Sequence, residues 1–172
     1  MKKQVRVLFI GFTLFLALVA GKGGLMAEDQ NNKAGFDISL HHIGISVANL
    51  DESIAWYRDM LGFEEVTRME QGVTEDKMSI GHIRRGNCYI ELFQVEGSKP
   101  LPEYRRDPNA DFTVQGLKHF ALQVSDVHAA LKELKAKGVE VAFGPIDTPG
   151  VNFVFIRDNS GNAFELIEYK EQ

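Results

Sequence analysis

The chain has little cysteine and little proline, with one Cys and five Pro in 172 residues. The single cysteine, Cys88, cannot form an intramolecular disulfide, which excludes a small domain held together by disulfides. Hydrophobic residues make up 44% and charged residues 25% of the chain, close to the globular average, which excludes a disordered or collagen-like chain. The formal net charge of -5 gives no support to a nucleic-acid-binding surface. We therefore expect a folded domain without a nucleic-acid partner.

Acidic residues are absent from the first 27 residues, which contain four basic ones. Residues 7–20 form an apolar run apart from one Gly and one Thr, and small residues follow it, as in a secretory signal. The run is short for a membrane span, which needs about 20 residues. We predict that residues 1–27 are a cleaved signal peptide and residues 28–38 a flexible mature N-terminus. The protein is then periplasmic or secreted, with no stable membrane span after cleavage. An uncleaved N-terminal anchor is the alternative, because Leu25 at the −3 position is a poor cleavage residue.

The rest of the chain contains one unit twice. Residues 40–47 resemble residues 117–124, and both alternate apolar residues with small or polar ones, which is typical of a strand. A helical pattern and three strand-like stretches follow each copy. The predicted strands after the helices are 63–70, 77–85 and 88–95 in the first half, and 139–143, 151–157 and 163–169 in the second. The sequence therefore predicts an α+β fold of two βαβββ modules, 39–96 and 117–170, joined by a linker over 97–116.

Histidine and glutamate recur at corresponding points of the two modules. His42 corresponds to His119 in the first strands, and Glu91 corresponds to Glu165 in the last strands. Each glutamate stands between bulky apolar residues, where an unpaired carboxylate is costly. Two imidazoles and two carboxylates from related halves predict a divalent metal site that suits Zn, Ni, Co, Mn or Fe. His41 is expected on the opposite face of its strand and is left out of the set. The alternative is that the histidines are ordinary strand residues.

Several motifs together resemble the vicinal oxygen chelate superfamily, which includes glyoxalase I, methylmalonyl-CoA epimerase, extradiol dioxygenases and antibiotic-resistance proteins. The matching segments are 42–47 (HIGISV), 53–62 (SIAWYRDMLG), 90–92 (IEL), 118–124 (KHFALQV) and 158–168 (DNSGNAFELIE). The resemblance covers residues 39–170. It implies that the two modules form a curved mixed sheet around a metal ion held by His42, Glu91, His119 and Glu165.

The resemblance also implies a reaction class. Members of the superfamily chelate two neighbouring substrate oxygens on the metal, which stabilises an enolate-like species. Our leading hypothesis is a proton-transfer reaction on a small carbonyl substrate, by an isomerase, an epimerase or a glyoxalase-type lyase, with Glu91 or Glu165 as the base. Ser46 and Val95 replace the Arg and Asn that glyoxalase I usually has, which weakens a glutathione substrate. The predicted export weakens a CoA thioester.

Two other functions compete with proton transfer. An Fe(II) extradiol-type dioxygenase would use two His and one carboxylate, and Glu91 as a fourth ligand would crowd that arrangement. A non-catalytic drug-binding or resistance protein commonly lacks the metal ligands that this chain retains. One chain holds both modules and all four ligands, so a monomer suffices, and a homodimer is the alternative.

Three further residues are candidates for substrate binding. Arg105 and Arg106 lie in the linker of an otherwise acidic protein, where they can meet an anionic substrate or simply be solvated. His82 precedes the Glu91 strand and is expected to be either a donor or base near the site or an exposed strand residue.

Overall fold

A computed structural model of the chain describes Phe36, residues 38–69 and residues 77–170. The chain divides into two units, Met1–Ser39 and Leu40–Gln172. In the first unit, the described residues are Phe36, Ile38 and Ser39, and all three are exposed. The predicted signal peptide, and the predicted flexible segment apart from Phe36 and Ile38, lie outside the described residues and stay predictions. All elements that follow belong to the second unit.

Each half of the second unit is a βαβββ module. The first contains β1 (Ile43–Ser46), α1 (Leu50–Leu61), β2 (Glu64–Met69), β3 (Met78–Arg85) and β4 (Cys88–Val95). A 3-10 turn (Glu103–Arg105) and the short helix α2 (Pro108–Asp111) lie between the modules. The second module contains β5 (Ala121–Gln123), α3 (Val127–Ala136), β6 (Val141–Asp147), β7 (Val151–Arg157) and β8 (Ala163–Tyr169). The predicted α+β fold of two such modules is confirmed. Among the described residues, no helix is long and apolar enough to cross a bilayer.

The strands form two mixed sheets of four with the same order. The first sheet runs β1-β4-β3-β2 and the second β5-β8-β7-β6. In each sheet the first strand is parallel to the last strand of its module, and the other pairs are antiparallel. The strands β1 and β5 have four and three residues and are shorter than predicted. Identical topology brings corresponding residues of the repeat to corresponding places.

The two long helices begin and end where the sequence supplies capping residues. Asn49 caps α1 by accepting a hydrogen bond from the backbone N–H of Glu52, and Gly62 ends it with a left-handed φ of 67°. Asp126 caps α3 by accepting from the N–H of Ala129 at 2.8 Å. Leu50, Ile54, Tyr57 and Leu61 form the buried stripe of α1. Each helix thus turns one apolar face toward the sheets.

One hydrophobic core joins the two modules. Phe164 of β8 is fully buried, and its ring packs against those of Trp56 and Tyr57 on α1, with centroids 6.2 Å away in both cases. The Tyr57 hydroxyl donates a hydrogen bond to Asp158 Oδ2 at 3.1 Å. The turn that contains Asp158 also contacts the end of β1, where Asn162 Nδ2 donates to the carbonyl oxygen of Ser46 at 3.1 Å. These contacts fix β1 against the second module.

Candidate functional site

In the first module, His42 and Glu91 lie side by side at the edge of the sheet. The parallel register of β1 and β4 places Glu91 opposite Gly44, two residues after His42. His42 Nε2 lies 3.4 Å from Glu91 Oε2. Glu91 is only 7% exposed, although it carries a carboxylate. Gly44, which faces Glu91 across the two strands, has no side chain to separate the His42 imidazole from the carboxylate.

The second module repeats this pair with the same atoms at the same distance. The register of β5 and β8 places Ala121 opposite Glu165, two residues after His119. His119 Nε2 lies 3.4 Å from Glu165 Oε2, and both side chains are largely buried. The backbone N–H of Glu165 donates to the carbonyl oxygen of Phe120, the residue after His119. This hydrogen bond holds Glu165 beside the segment that carries His119. The structure therefore brings together each histidine and the glutamate of its own module.

The spacing within each pair suits a divalent ion. A nitrogen and an oxygen about 2.1 Å from one ion, and about 90–110° apart, lie about 3.0–3.4 Å from each other. A direct N–H···O hydrogen bond would be shorter, at about 2.7–3.2 Å. Among the residues that the structure describes, no group of three or more His, Cys, Asp or Glu side chains is arranged to hold a single ion. The structure thus contains two His–Glu pairs, and a single centre with all four ligands stays a prediction.

Two further histidines contact the first pair. His82 Nε2 is 2.7 Å from Glu91 Oε1, and His41 Nδ1 is 2.8 Å from His42 Nδ1. The ring of His41 stacks on Tyr89 at a centroid distance of 5.6 Å. The expectation that His41 faces away from His42 is wrong, because both residues precede β1 and strict strand alternation does not apply to them.

The position of His82 has a signal in the sequence. Gly86 and Asn87 form a tight turn between β3 and β4, so counting back from Arg85 and forward from Cys88 pairs His82 with Glu91. His82 is 35% exposed by its side chain, which makes it half-buried rather than a solvated strand residue. Its observed contact is with a predicted ligand, and its role in substrate binding stays a prediction.

A cavity of about 390 Å³ lies beside the second pair. Its volume is in the range of small-molecule sites. The lining includes Gly44 and Ser46 of β1, His119 before β5, Phe155 of β7, and Leu101 and Arg105 of the linker. Both modules and the linker thus contribute to one cavity, and a predicted metal ligand, His119, forms part of its wall.

The two linker arginines occupy different places. Arg105 lines the cavity and donates to both carboxylate oxygens of the buried Asp111, at 3.2 and 3.4 Å, and to the carbonyl oxygen of Leu117. Arg106 is exposed, and its carbonyl oxygen accepts a hydrogen bond from the guanidinium of Arg157. Of the two candidates, only Arg105 is among the residues that line this cavity.

Two other polar residues lie away from the pairs. Cys88 is half-buried, and burial raises the pKa of its thiol, which favours a packed thiol over a nucleophile. His128 is exposed at the start of α3 and contacts Asp147 at 2.8 Å. We assign neither of them to the site.

Comparisons with known proteins agree with this fold. Residues 39–166 match the model of the Glyoxalase/Bleomycin resistance protein/Dioxygenase superfamily. The mitochondrial methylmalonyl-CoA epimerase of Dictyostelium discoideum is 31% identical over 140 residues, which cover 77% of this chain and 78% of the epimerase. The lactoylglutathione lyase GLX1 of Arabidopsis thaliana is 26% identical over 133 residues, which cover 74% of this chain and 43% of the lyase. The crystal structure of a glyoxalase family protein from Enterococcus faecalis shares the fold, with a TM-score of 0.62 and 24% identity over 76% of this chain and 97% of that chain.

Proposed function

The chain belongs to the Glyoxalase/Bleomycin resistance protein/Dioxygenase superfamily, and on that premise we propose that it is a divalent-metal-dependent enzyme that transfers a proton on a small carbonyl substrate. The observation that carries the proposal is the duplicated pair of His Nε2 and Glu Oε2 at 3.4 Å. Its relatives include proteins named as an epimerase and a lyase, both of which are enzymes. The reaction class proposed for this chain is an isomerase, epimerase or glyoxalase-type lyase step.

The residues that would hold the ion are His42, Glu91, His119 and Glu165. The donor set fits a divalent cation, because two carboxylates balance its charge and two imidazole nitrogens complete the set in a partly buried position. When bound, such an ion polarises a carbonyl oxygen and makes the neighbouring C–H more acidic. Zn, Ni, Co, Mn and Fe all accept this mixed nitrogen and oxygen set.

The proton is moved by one of the two glutamates. A carboxylate beside the reacting carbon accepts the proton from the C–H bond and returns it to the same or the adjacent carbon. Glu165 stands beside His119, which lines the cavity, and Glu91 stands beside His42. Both glutamates therefore remain candidates for the base, and the two histidines hold the pairs in place.

The cavity supports a small anionic substrate. Its volume of about 390 Å³ admits a small molecule, and Arg105 places a guanidinium in the wall. Ser46 and Val95 stand where glyoxalase I usually has Arg and Asn. These two replacements support a substrate other than a glutathione adduct. Export, which we propose from residues 1–27, supports a substrate other than a CoA thioester.

Proton exchange tests the proposal directly. Purified protein is loaded separately with Zn, Ni, Co, Mn or Fe(II), and α-hydroxycarbonyl and 2-methyl-dicarboxyl compounds are followed for hydrogen–deuterium exchange by NMR. We expect exchange with at least one metal, and a loss of about 100-fold or more in Glu91→Gln or Glu165→Gln, whichever removes the base. The matched control is His128→Gln, which changes an exposed residue outside the site.

Three outcomes contradict the proposal in different ways. Absence of exchange with every metal rejects proton transfer. Oxygen consumption with catechols in the Fe(II) protein, without exchange, identifies a dioxygenase instead. Protein that binds no divalent metal and turns over nothing is a binding or resistance protein.

A further inference from the structure

The pair in the first module is part of a longer chain of contacts. His82 Nε2 lies 2.7 Å from Glu91 Oε1, while the other oxygen, Oε2, faces His42 Nε2 at 3.4 Å. The far nitrogen of His42, Nδ1, lies 2.8 Å from Nδ1 of His41. The rings of His42 and His82 are 6.1 Å apart by their centroids, on either side of the carboxylate. The four side chains are thus linked in the order His41, His42, Glu91, His82.

The second module has different residues at both outer positions. The residue opposite Glu165 on the neighbouring strand is Phe155, whose ring has no hydrogen-bond donor and packs edge-on against His119 at 4.8 Å. The residue before His119 is Lys118, whose ammonium group donates to the carbonyl oxygens of Asp111 and Val114. The two modules therefore have the same His and Glu but unequal surroundings.

We propose that His41 and His82 are positioning residues that fix the His42–Glu91 pair, so that the first module is the preorganised half of the proposed metal centre. The inference rests on the proposed function for the metal and on the observed contacts for the residues. To bind a metal, Nε2 of His42 needs a free lone pair. The proton of the imidazole therefore lies on Nδ1, which donates it in a hydrogen bond to Nδ1 of His41. His82 donates its Nε2–H to Oε1, which leaves Oε2 of Glu91 as the ligand oxygen.

The burial of Glu91 explains why such a donor matters. A carboxylate that is 7% exposed has little water to bind, so a hydrogen bond from a side chain is needed to satisfy its oxygens and hold it in one rotamer. Partners of this kind typically change metal affinity by about 10- to 100-fold when they are removed. Glu165 has no such donor at the equivalent cross-strand position, so its orientation depends on His119 and on the ion itself.

Two measurements test the inference, and the first needs no metal. In metal-free protein, the nitrogen chemical shifts of the histidine rings report which nitrogen carries the proton. We expect neutral His42 to be protonated on Nδ1 and neutral His82 on Nε2, each in a single tautomer. A mixture of tautomers, or the opposite ones, would overturn the positioning role.

The second measurement is the affinity for Co²⁺, followed by its visible absorption in a titration of the full chain. We expect His82→Phe and His41→Phe to bind Co²⁺ about 10- to 100-fold more weakly, with the absorption band shifted. His82→Gln retains an N–H donor and is expected to recover most of the affinity. The control is His128→Phe, which should bind as the wild type does, and circular dichroism verifies that every variant is folded.

The outcomes separate the two proposals. A wild-type protein that binds no Co²⁺ rejects the metal centre itself and with it the proposed function. A wild type that binds Co²⁺ no more tightly than His82→Phe and His41→Phe rejects only the positioning role. Equal weakening in His82→Gln and His82→Phe also rejects it, because the donor would then not be the property that matters.

Discussion

At the scale of single residues, the contents of the site depend on register rather than on distance along the chain. Glu91 and Glu165 stand opposite Gly44 and Ala121 in parallel pairs of strands. Since each glutamate faces a small residue two positions after a histidine, the carboxylate and the imidazole meet without an intervening side chain. Arg105 and Arg106 differ for another reason: they are adjacent at the end of a 3-10 turn, so their side chains face different surroundings.

The arginines allow a matched comparison of substrate binding. We expect Arg105→Ala to raise KM for an anionic substrate about 10-fold or more, because the guanidinium that lines the cavity is lost. Arg106→Ala removes the same charge from an exposed residue and should leave KM within about two-fold, as is usual for a screened surface charge. Steady-state kinetics of both variants measure this. Equal effects, or none, would assign the cavity wall a purely structural role.

Arg105 also partners the buried Asp111, so its replacement has a cost in stability. Lys118 Nζ remains 3.5 Å from the same carboxylate and compensates in part. A thermal unfolding curve of Arg105→Ala therefore accompanies the kinetics. A KM effect at a temperature where the variant is fully folded belongs to substrate binding.

At the scale of elements, the two modules are joined by α1 and the turn before β8. Asp158 is buried and accepts hydrogen bonds from the Tyr57 hydroxyl, from the backbone N–H groups of Ser160 and Asn162, and from the Asn162 side chain. Burial raises the pKa of Asp158 above its usual value, although these donors oppose the shift. Burial also raises the pKa of Tyr57, so its hydroxyl stays protonated and keeps donating.

Removing the Tyr57 hydroxyl tests how much its hydrogen bond to Asp158 stabilises the contact between the two modules. We expect Tyr57→Phe to lower the free energy of unfolding by about 1–2 kcal/mol at pH 7, because a buried carboxylate loses one donor while the ring packing is retained. The loss is present where Asp158 is ionised and shrinks as the pH falls through its folded pKa, which lies above 3.8. Urea unfolding at pH 7 and near pH 4 measures both values. An equal loss at the two pH values would contradict the role of the carboxylate.

Burial and the Tyr57 hydroxyl act on the pKa of Asp158 in opposite directions, burial raising it and the hydrogen bond lowering it. A carboxyl group with a raised folded pKa binds its proton more tightly in the folded state, so burial of Asp158 costs stability at neutral pH and less in acid. The donor from Tyr57 offsets that cost only while the group is charged. Tyr104 is an exposed tyrosine away from this network, and Tyr104→Phe is the matched control.

At the scale of the whole molecule, residues 1–38 lie outside the family match and outside the unit that contains the two modules. The match begins at residue 39, and the second structural unit begins at Leu40. Residues 1–27 contain no acid, while all 24 acidic residues follow them. Without the segment, 15 of the 19 basic residues remain, which gives the 145-residue remainder a net charge of -9.

Export of the protein is therefore a testable proposal. We expect the mature protein to begin at Glu28 and to appear in the periplasmic or secreted fraction, because a basic start followed by a short apolar run is typical of a signal peptide. Intact mass spectrometry of the fractionated protein measures the cleavage site. A chain that keeps Met1 and sediments with membranes would establish an N-terminal anchor instead.

The sequence by itself determined the α+β class, the two βαβββ modules and the correspondence of His42 with His119 and of Glu91 with Glu165. These follow from residue order, because strand alternation and helix periodicity depend on spacing along the chain. The family resemblance that these motifs carry is confirmed by the family model, which matches residues 39–166.

Only the tertiary structure decided that His41 contacts His42, because both lie just outside β1, where alternation gives no guidance. The contact of His82 with Glu91 is different, since the tight turn between β3 and β4 already pairs the two residues in the sequence. The cavity requires β1, the second module and the linker to pack together, and that packing selects Arg105 over Arg106. The packing that forms the cavity joins segments far apart in the chain, so no local pattern specifies it. The shared core and the Tyr57–Asp158 hydrogen bond hold these segments together.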